Sequence, residues 1–167
     1  WFMAKEGAVV TAMDGAPSGL NKVTKLAKEF GVDKGIKTVH GDITQPQTFI
    51  ENKFNIILDS YALYSNIEVQ TINGYKECYD LLENDGFFLT CCFGKKTDGF
   101  GTGRKVSDNS YTNIQGILSN GGVQSFFNRE DLICIFKEIG YHIKYYENIL
   151  EDRNGELVEK HITCLSK

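Results

Sequence analysis

Three aspartates each follow a short apolar run, and their side chains could accept hydrogen bonds from a ligand. Asp14 ends the run GAVVTAMD, Asp42 follows IKTVHG, and Asp59 follows FNIIL. A carboxylate presents two acceptor oxygens in one plane, so it can accept from both hydroxyls of a ribose. If the three runs are strands, the acids stand at the carboxyl ends, where open α/β sheets bind ligands.

Two of these acids suggest a nucleoside site, and each has a simpler alternative. Asp14 fits the position of a ribose-binding acid; the alternative is a carboxylate that only caps the turn before Pro17. Asp42 could accept from an exocyclic amine while Ile43 packs on a purine face. The alternative for Asp42 is an ordinary Asx-turn. The sequence leaves both choices open.

The segments that must position these acids alternate between strand and helix patterns. Ser18 is expected to cap a helix that stops at Gly31. FNIILDSYAL is apolar on both faces, which predicts a central, parallel strand. A second helix is expected to close at the turn NDG, and the strand FFLTCCF follows it.

The C-terminal third carries the clearest local signals. Asn128, with Asp131 three residues later, predicts a capped helix that ends at Gly140. YHIKYYENILE and ELVEKHITCLSK flank DRNG, which predicts two antiparallel strands joined by a tight turn. Strands alternating with helices and ending in a hairpin indicate an α/β protein.

Composition argues against several classes of function. The chain has 167 residues, 41% of them hydrophobic, which suits one globular domain with a core. A net charge of −4 argues against a nucleic-acid partner. No apolar run reaches the roughly 18 residues that span a membrane, so no membrane partner is expected. The cysteine and histidine spacing contains no zinc motif, so reduced thiols in a cytoplasmic protein without a metal are expected.

The segment TDGFGTGRK (Thr97 to Lys105) has the glycine spacing of a nucleotide-binding loop. Such a loop must follow a strand directly and open into a helix, so that backbone amides converge on the ligand. Here GKKTD separates it from the strand, and no helical pattern follows before Gly122. We interpret 94–127 as a substrate-side insertion or lid, with Arg104 and Tyr111 as substrate-binding candidates. The alternative is a solvated connection.

Three segments resemble a known family in their order and spacing along the chain. VVTAMDGAPSGLNKV, VHGDI and FNIILDSYALY resemble the second to fourth segments of class I S-adenosylmethionine-dependent methyltransferases of the small-molecule type, and the last helix and hairpin resemble that family's ending. The resemblance covers most of the chain and implies one methyltransferase-like domain over 1–167. It also implies an α/β, Rossmann-like three-layer sandwich, with a mostly parallel sheet and an antiparallel C-terminal strand.

The resemblance further implies S-adenosylmethionine as the cofactor. Asp14 would bind its ribose, and Asp42 with Ile43 its adenine. The cofactor-binding residues implied in this way are Asp14, Gly15, Asp42, Ile43, Asp59 and Ser60. Tyr61 and Tyr64 would contact the substrate, although packing is an equally open role for both. Asp59 is also the candidate general base if the acceptor must lose a proton.

One part of the family pattern is not present in this sequence. The family's first strand and glycine-rich loop should stand before WFMAKEG, a unit on the order of 30 residues. A central parallel strand cannot be dropped without exposing the edges of its neighbours. The sequence is therefore interpreted as an N-terminally incomplete domain.

Methyl transfer to an oxygen or nitrogen of a small polar molecule is the function that this resemblance implies. An NAD(P)-dependent oxidoreductase is an alternative, because a ribose-binding acid after the second strand serves both cofactors. A non-catalytic binding domain on the same fold is another alternative, since a fold does not guarantee an activity. The expected partner is a small-molecule substrate.

Overall fold

The computed structural model describes residues 1–167, which separate into two compact units, 1–50 and 51–167. The helices are α1 (Phe2–Lys5), α2 (Pro17–Glu29), α3 (Glu68–Leu81) and α4 (Arg129–Ile139). The strands are β1 (Val10–Asp14), β2 (Ile36–His40), β3 (Phe54–Ser60), β4 (Leu82–Phe93), β5 (Arg104–Lys105), β6 (Ser110–Thr112), β7 (Gln124–Ser125), β8 (His142–Arg153) and β9 (Glu156–Ser166). No helix combines the length and the apolar character that crossing a bilayer requires.

The first unit is a βαβ arrangement. Strands β1 and β2 pair in parallel, and α2 packs against both. The prediction that Ser18 caps α2 is wrong, because the N-cap is Ala16 and the helix begins at Pro17. Proline suits this first position, since its fixed φ matches the helix and its missing N–H would have no partner there. The predicted stop at Gly31 is confirmed: this residue follows the C-cap and has a φ of 68°.

The second unit contains a four-stranded sheet in the order β3-β4-β9-β8. Strand β3 is parallel to β4, whereas β9 is antiparallel to both β4 and β8. The C-terminal strand is therefore antiparallel, but the sheet is mixed rather than mostly parallel. Of the three strand pairings in this sheet, β3–β4 is parallel, whereas β4–β9 and β9–β8 are antiparallel.

Strand β3 is parallel as predicted, but it is not central in this sheet. It has β4 as its only neighbour in the sheet order, and Ile56 and Leu58 on one face are 52% and 55% exposed.

The NDG segment is not the turn between α3 and the next strand that the sequence predicted. It lies within β4 as a bulge, because Phe54 pairs with Leu82 while Ile56 pairs with Phe87.

One face of this sheet is covered by α3 and α4. Five large side chains fill the space between them and are fully or almost fully buried: Tyr75, Phe88, Leu132, Phe136 and Leu165. The Tyr75 ring lies 5.9 Å from the Phe88 ring and 5.2 Å from the Phe136 ring. The predicted capping box of α4 is present, and the αL conformation of Gly140 ends that helix. The packing of the five buried side chains fixes which face of β3 and β4 points towards the two helices.

The hairpin forms as DRNG predicts. Asn154 and Gly155 make a two-residue turn with φ angles of 57° and 85°, and Asp152 Oδ1 accepts a hydrogen bond of 2.8 Å from the Gly155 N–H. Because β9 reverses direction between β4 and β8, the carboxyl ends of β3, β4 and β8 lie at the same edge of the sheet. We call this edge the carboxyl edge of the second unit.

The glycine-containing segment after β4 is not a nucleotide loop. The Gly94 and Asp98 N–H groups donate hydrogen bonds of 2.8 Å to carbonyls of β9, and the segment ends in β5 rather than in a helix. Strands β5, β6 and β7 then form a small antiparallel sheet. Gly99 and Gly103 have φ angles of 106° and 70°, and a Cβ at either would overlap a backbone carbonyl of 112–115. These glycines therefore permit turns and close packing.

Candidate functional site

Asp14 and Asp42 lie at the same edge of the β1–β2 sheet. Asp14 is paired in register with His40, and the Asp14 carbonyl accepts a hydrogen bond of 3.2 Å from the Gly41 N–H. His40 Nε2 donates to the Gly15 carbonyl at 3.1 Å. Parallel strands bring their carboxyl ends together, so the two turns that carry the acids are neighbours.

The Asp14 carboxylate lies against the first turn of α2. Its Oδ1 accepts a hydrogen bond of 2.8 Å from the Ala16 N–H, so the turn contact proposed as the alternative does form. Its Oδ2 approaches Gly19 so closely that a Cβ at that position would overlap it. The positive end of the helix dipole favours a carboxylate here. Each carboxylate oxygen can accept more than one hydrogen bond, so Asp14 retains capacity for a ligand.

Asp42 forms the Asx-turn that was the alternative to its adenine-binding role. Its Oδ1 accepts from the Thr44 backbone N–H at 2.8 Å and from the Thr44 hydroxyl at 2.7 Å. Asp42 itself is exposed, Ile43 is half-buried and Thr44 is buried. The turn therefore holds the carboxylate in a fixed position at the surface, with both of these contacts made through one oxygen.

Sequence reasoning missed an aromatic side chain next to this pair of turns. The Phe49 ring and the Met13 methyl group pack so tightly over Gly41 that a Cβ there would lie 2.6–2.9 Å from them. Phe49 is half exposed and follows a short 3-10 turn, Pro46–Thr48, which has no periodic pattern that sequence reasoning could use. An exposed ring at this place offers a surface on which a purine could stack.

Asp59 lies inside the second unit, where it is only 5% exposed. Its Oδ1 accepts from the backbone N–H groups of Ala62 and Leu63 at 3.0 and 3.1 Å, and its Oδ2 accepts from the Thr90 hydroxyl at 2.7 Å. Burial raises the pKa of this carboxyl, although the three hydrogen bonds oppose the shift. The placement favours a role in holding the turn after β3 over the role of a general base.

The turn after β3 presents an aromatic cluster, which we define as Tyr61, Tyr64 and Phe93. The Tyr61 and Tyr64 rings each lie 5.0 Å from the Phe93 ring, and 6.4 Å from each other in an edge-on arrangement. Tyr61 has a φ of 57°, which is unusual for a residue with a large side chain. Tyr64 is buried, whereas Tyr61 and Phe93 are half-buried, and Ser60 beside them is exposed.

Arg104 and Tyr111 belong to the small sheet rather than to the aromatic cluster. Arg104 is exposed on β5, paired with Thr112. The Tyr111 ring packs edge-on against Phe100, with 5.3 Å between the ring centres. The structure therefore groups two of the predicted substrate-binding residues, Tyr61 and Tyr64, and places the other two elsewhere in the second unit.

Three charged residues at the carboxyl edge were also missed by sequence reasoning. Lys160 Nζ lies 2.5 Å from Glu151 Oε1, and the Arg153 Nε and Nη2 atoms each lie 2.8 Å from Glu151 Oε2. We call Glu151, Arg153 and Lys160 the charged triad. Their alternating positions on β8 and β9 signal a shared sheet face, but only the register between the strands shows that they meet.

Numerous solved structures share this fold. No protein-family model and no curated protein sequence matches the chain. An S-adenosylmethionine-dependent methyltransferase from Methanosarcina mazei matches with a TM-score of 0.75 and 12% identity, over 99% of this chain and 85% of that one.

Two further structures show the range of proteins that share the fold. The Burkholderia thailandensis 1,6-didemethyltoxoflavin-N1-methyltransferase, solved with 1,6-didemethyltoxoflavin and S-adenosylhomocysteine, matches with a TM-score of 0.69 and 14% identity, over 99% of this chain. The chain spans 64% of the length of that enzyme. The cyclase SpnF matches with a TM-score of 0.73 and 12% identity, over 99% of this chain and 70% of the cyclase. The chain therefore has the fold of the class I S-adenosylmethionine-dependent methyltransferases.

Proposed function

We propose that the protein transfers a methyl group from S-adenosylmethionine to an oxygen or nitrogen atom of a small polar molecule. The observation that supports this most is the position of Asp14 and Asp42 after adjacent parallel strands, at one edge of a methyltransferase-type sheet. The proposal also includes the three-layer sandwich that the family resemblance implies and the cytoplasmic location that the cysteine pattern favours.

The residues of the first unit suit the adenosine part of this cofactor. A ribose offers two neighbouring hydroxyl donors, and the Asp14 carboxylate offers two acceptor oxygens. An adenine offers an exocyclic amine, for which the exposed Asp42 carboxylate is an acceptor. The half-buried Ile43 and the exposed ring of Phe49 supply apolar surface for a purine face. The donor and acceptor chemistry of the site therefore fits an adenosine.

When bound, the cofactor supplies an electrophilic methyl carbon on a sulfonium, so the acceptor needs only a lone pair aligned with the carbon–sulfur bond. The chain's task is then chiefly positioning, which can contribute about 7–11 kcal/mol to lowering the barrier. Asp59 would act as a positioning residue, because its carboxylate holds the turn that carries Ser60 and Tyr61. We assign no general base among these residues.

Calorimetry on an Asp14→Asn variant tests the proposal. The amide oxygen of asparagine can still accept from the Ala16 N–H, but only one oxygen remains to accept from two ribose hydroxyls. We expect S-adenosylhomocysteine to bind the parent and to bind the variant at least about tenfold more weakly, a loss of about 1.4 kcal/mol. Asp33→Asn, at an exposed acid of the same unit, should bind as the parent does.

A thermal-shift panel separates this function from its rivals. Stabilisation by S-adenosylmethionine or S-adenosylhomocysteine supports methyl transfer, because a ligand that binds only the folded state raises the unfolding temperature. Stabilisation by NAD(H) or NADP(H) instead would indicate an oxidoreductase. Stabilisation by neither would contradict the proposal and favour a binding domain without nucleotide chemistry.

A further inference from the structure

We infer that the carboxyl edge of the second unit binds a methyl acceptor with an aromatic ring and a carboxylate or similar anionic group. This inference rests on the proposed function, and it adds the chemical class of the acceptor. The aromatic cluster would contact the ring, and Arg153 of the charged triad would bind the anion. All of these residues belong to the second unit.

The aromatic cluster forms an apolar wall at the end of β3 and β4. Tyr64 lies edge-on to both Tyr61 and Phe93 and is buried, so it supports the other two rings from beneath. Tyr61 and Phe93 keep part of their ring surface exposed. Aromatic side chains prefer offset-stacked or edge-on aromatic partners, and such pairs attract each other beyond the effect of burying apolar area. A flat ring is therefore a suitable ligand for this wall.

The register of the sheet places the charged triad on the same face as Phe93. Phe93 is paired with Lys160, and Lys160 is paired with Ile149 on the next strand. Directly paired residues share a face, and alternate residues along a strand do too. Ile149, Glu151 and Arg153 thus all project from the face that carries the Phe93 ring.

The triad lies within electrostatic range of Tyr61. The pKa of Tyr61 rises to about 12, mainly through burial, while the charge of Glu151 raises the pKa further and that of Arg153 lowers it. The strand register places Arg153 on the face of Phe93, and its effect on the pKa of Tyr61 agrees with that placement. A ring lying on Tyr61 and Phe93 would bring a substituent towards the guanidinium.

The triad has two cations and one carboxylate, and Glu156 is paired with Arg153 on the next strand, so any preference for an anion depends on the unused donors of Arg153. Two cations share the single carboxylate of Glu151, and both Arg153 contacts go to one of its oxygens. Lys160 is enclosed, with 13% of its side chain exposed, whereas the Arg153 side chain is 48% exposed. A guanidinium has five N–H donors in a planar fork, so Arg153 retains donors for a second carboxylate.

A ligand-observed NMR titration with simple probes tests this inference. Benzoate, benzamide and cyclohexanecarboxylate share a size but differ in charge or aromaticity. With S-adenosylhomocysteine present, we expect the parent to bind benzoate at least about fivefold more tightly than either of the other two. Arg153→Gln should remove the preference over benzamide, whereas Phe93→Leu should weaken benzoate and benzamide by a similar factor.

Arg129→Gln provides a matched control, because it removes the same charge from an exposed arginine whose guanidinium lies over the ring of Tyr146. This variant should bind all three probes as the parent does. Equal binding of benzoate and benzamide by the parent would overturn the inference. A preference that survives Arg153→Gln but disappears in Arg104→Gln would also overturn it, since the anion would then bind at the small sheet.

The same samples separate this inference from the proposed function. S-adenosylhomocysteine binding is measured first by calorimetry, and the probes are titrated both with and without it. Absence of S-adenosylhomocysteine binding contradicts methyl transfer and so removes the basis of an acceptor site. Normal binding of S-adenosylhomocysteine with no preference for benzoate contradicts the acceptor class alone.

Discussion

Thr90 on β4 donates a hydrogen bond of 2.7 Å to Asp59 Oδ2 on β3, and the two residues are directly paired in the parallel register. The other carboxylate oxygen accepts from the Ala62 and Leu63 N–H groups. One buried carboxylate thus ties two strands to the turn in which Tyr61 adopts a positive φ. Asp59 is therefore central to the shape of this edge.

Asp59→Asn should keep the fold and change how its stability depends on pH. Burial raises the pKa of Asp59 above 3.8, so the folded protein holds this proton more tightly than the unfolded chain does. The contribution of Asp59 to stability is then full below the unfolded pKa and is lost as pH rises through the folded pKa. In urea unfolding from about pH 3 to about pH 7, the stability of the parent relative to the variant should therefore fall as the pH rises.

The exposed Asp85→Asn variant is the control for this experiment, and its pH profile should follow that of the parent. If Asp59→Asn also follows the parent across the whole range, the claim that burial raises the pKa of Asp59 is contradicted.

The Asp59→Asn variant also tests the role of Asp59 in catalysis once an acceptor is found. A positioning role predicts that an isosteric amide retains activity, whereas a general base would lose it.

Gly19→Ala should weaken cofactor binding without unfolding the protein. Alanine is favoured over glycine in a helix by about 1 kcal/mol, but the new Cβ would overlap Asp14 Oδ2 and displace the carboxylate. We expect calorimetry to show S-adenosylhomocysteine affinity reduced by about tenfold. Gly35→Ala is the matched control, because its Cβ would make only ordinary contacts of 3.7 Å. Equal loss in both variants would argue against a role for the Asp14 position.

His161 should make stability fall as the solution becomes acidic. Its Nε2 donates to the Phe127 carbonyl at 3.0 Å, and in the neutral ring its Nδ1 accepts from the Tyr146 hydroxyl at 2.7 Å. Burial lowers the pKa of His161 below 6.5, although the nearby Glu159 carboxylate opposes the shift. On acidification the unfolded chain therefore binds the proton before the folded protein does. The contribution of His161 to the free energy of unfolding is full above pH 6.5 and is lost as the pH falls towards the folded pKa.

His161→Gln should remove that pH dependence, because glutamine can donate to the Phe127 carbonyl and does not titrate. Urea unfolding at about pH 5, 6 and 7.5 measures the difference between parent and variant. His142→Gln, at an exposed histidine of β8, is the control and should leave the slope of the parent unchanged. If His161→Gln has the same pH slope as the parent, the prediction of a neutral, buried His161 is contradicted.

Gly155→Ala should destabilise the C-terminal hairpin. Gly155 has a φ of 85°, and an L side chain in the left-handed region costs about 1–2 kcal/mol. Thermal unfolding should show a loss of this size. Asn154→Gly, at a neighbouring φ of 57°, should cost less, because glycine adopts that conformation readily. If Gly155→Ala is as stable as the parent, the turn has a different conformation in solution.

Much of the fold follows from signals that act within a few residues. The capping box of Asn128 and Asp131, the Asn154–Gly155 turn and the end of α2 at Gly31 were all predicted correctly. Each depends on a side chain or a backbone conformation acting on its own neighbours in the chain. The Ser18 cap failed for a local reason too, because Pro17 competes for the helix start.

The sequence by itself determined the order of strands and helices, and it determined that Asp14 and Asp42 follow neighbouring strands. Only the tertiary structure decided that Asp59 turns inward to Thr90, and that Arg153 meets Glu151 and Lys160 on the face that carries Phe93. The reason is physical. Strand and turn patterns are local, whereas the direction of a side chain depends on the register between distant strands and on which face the helices cover.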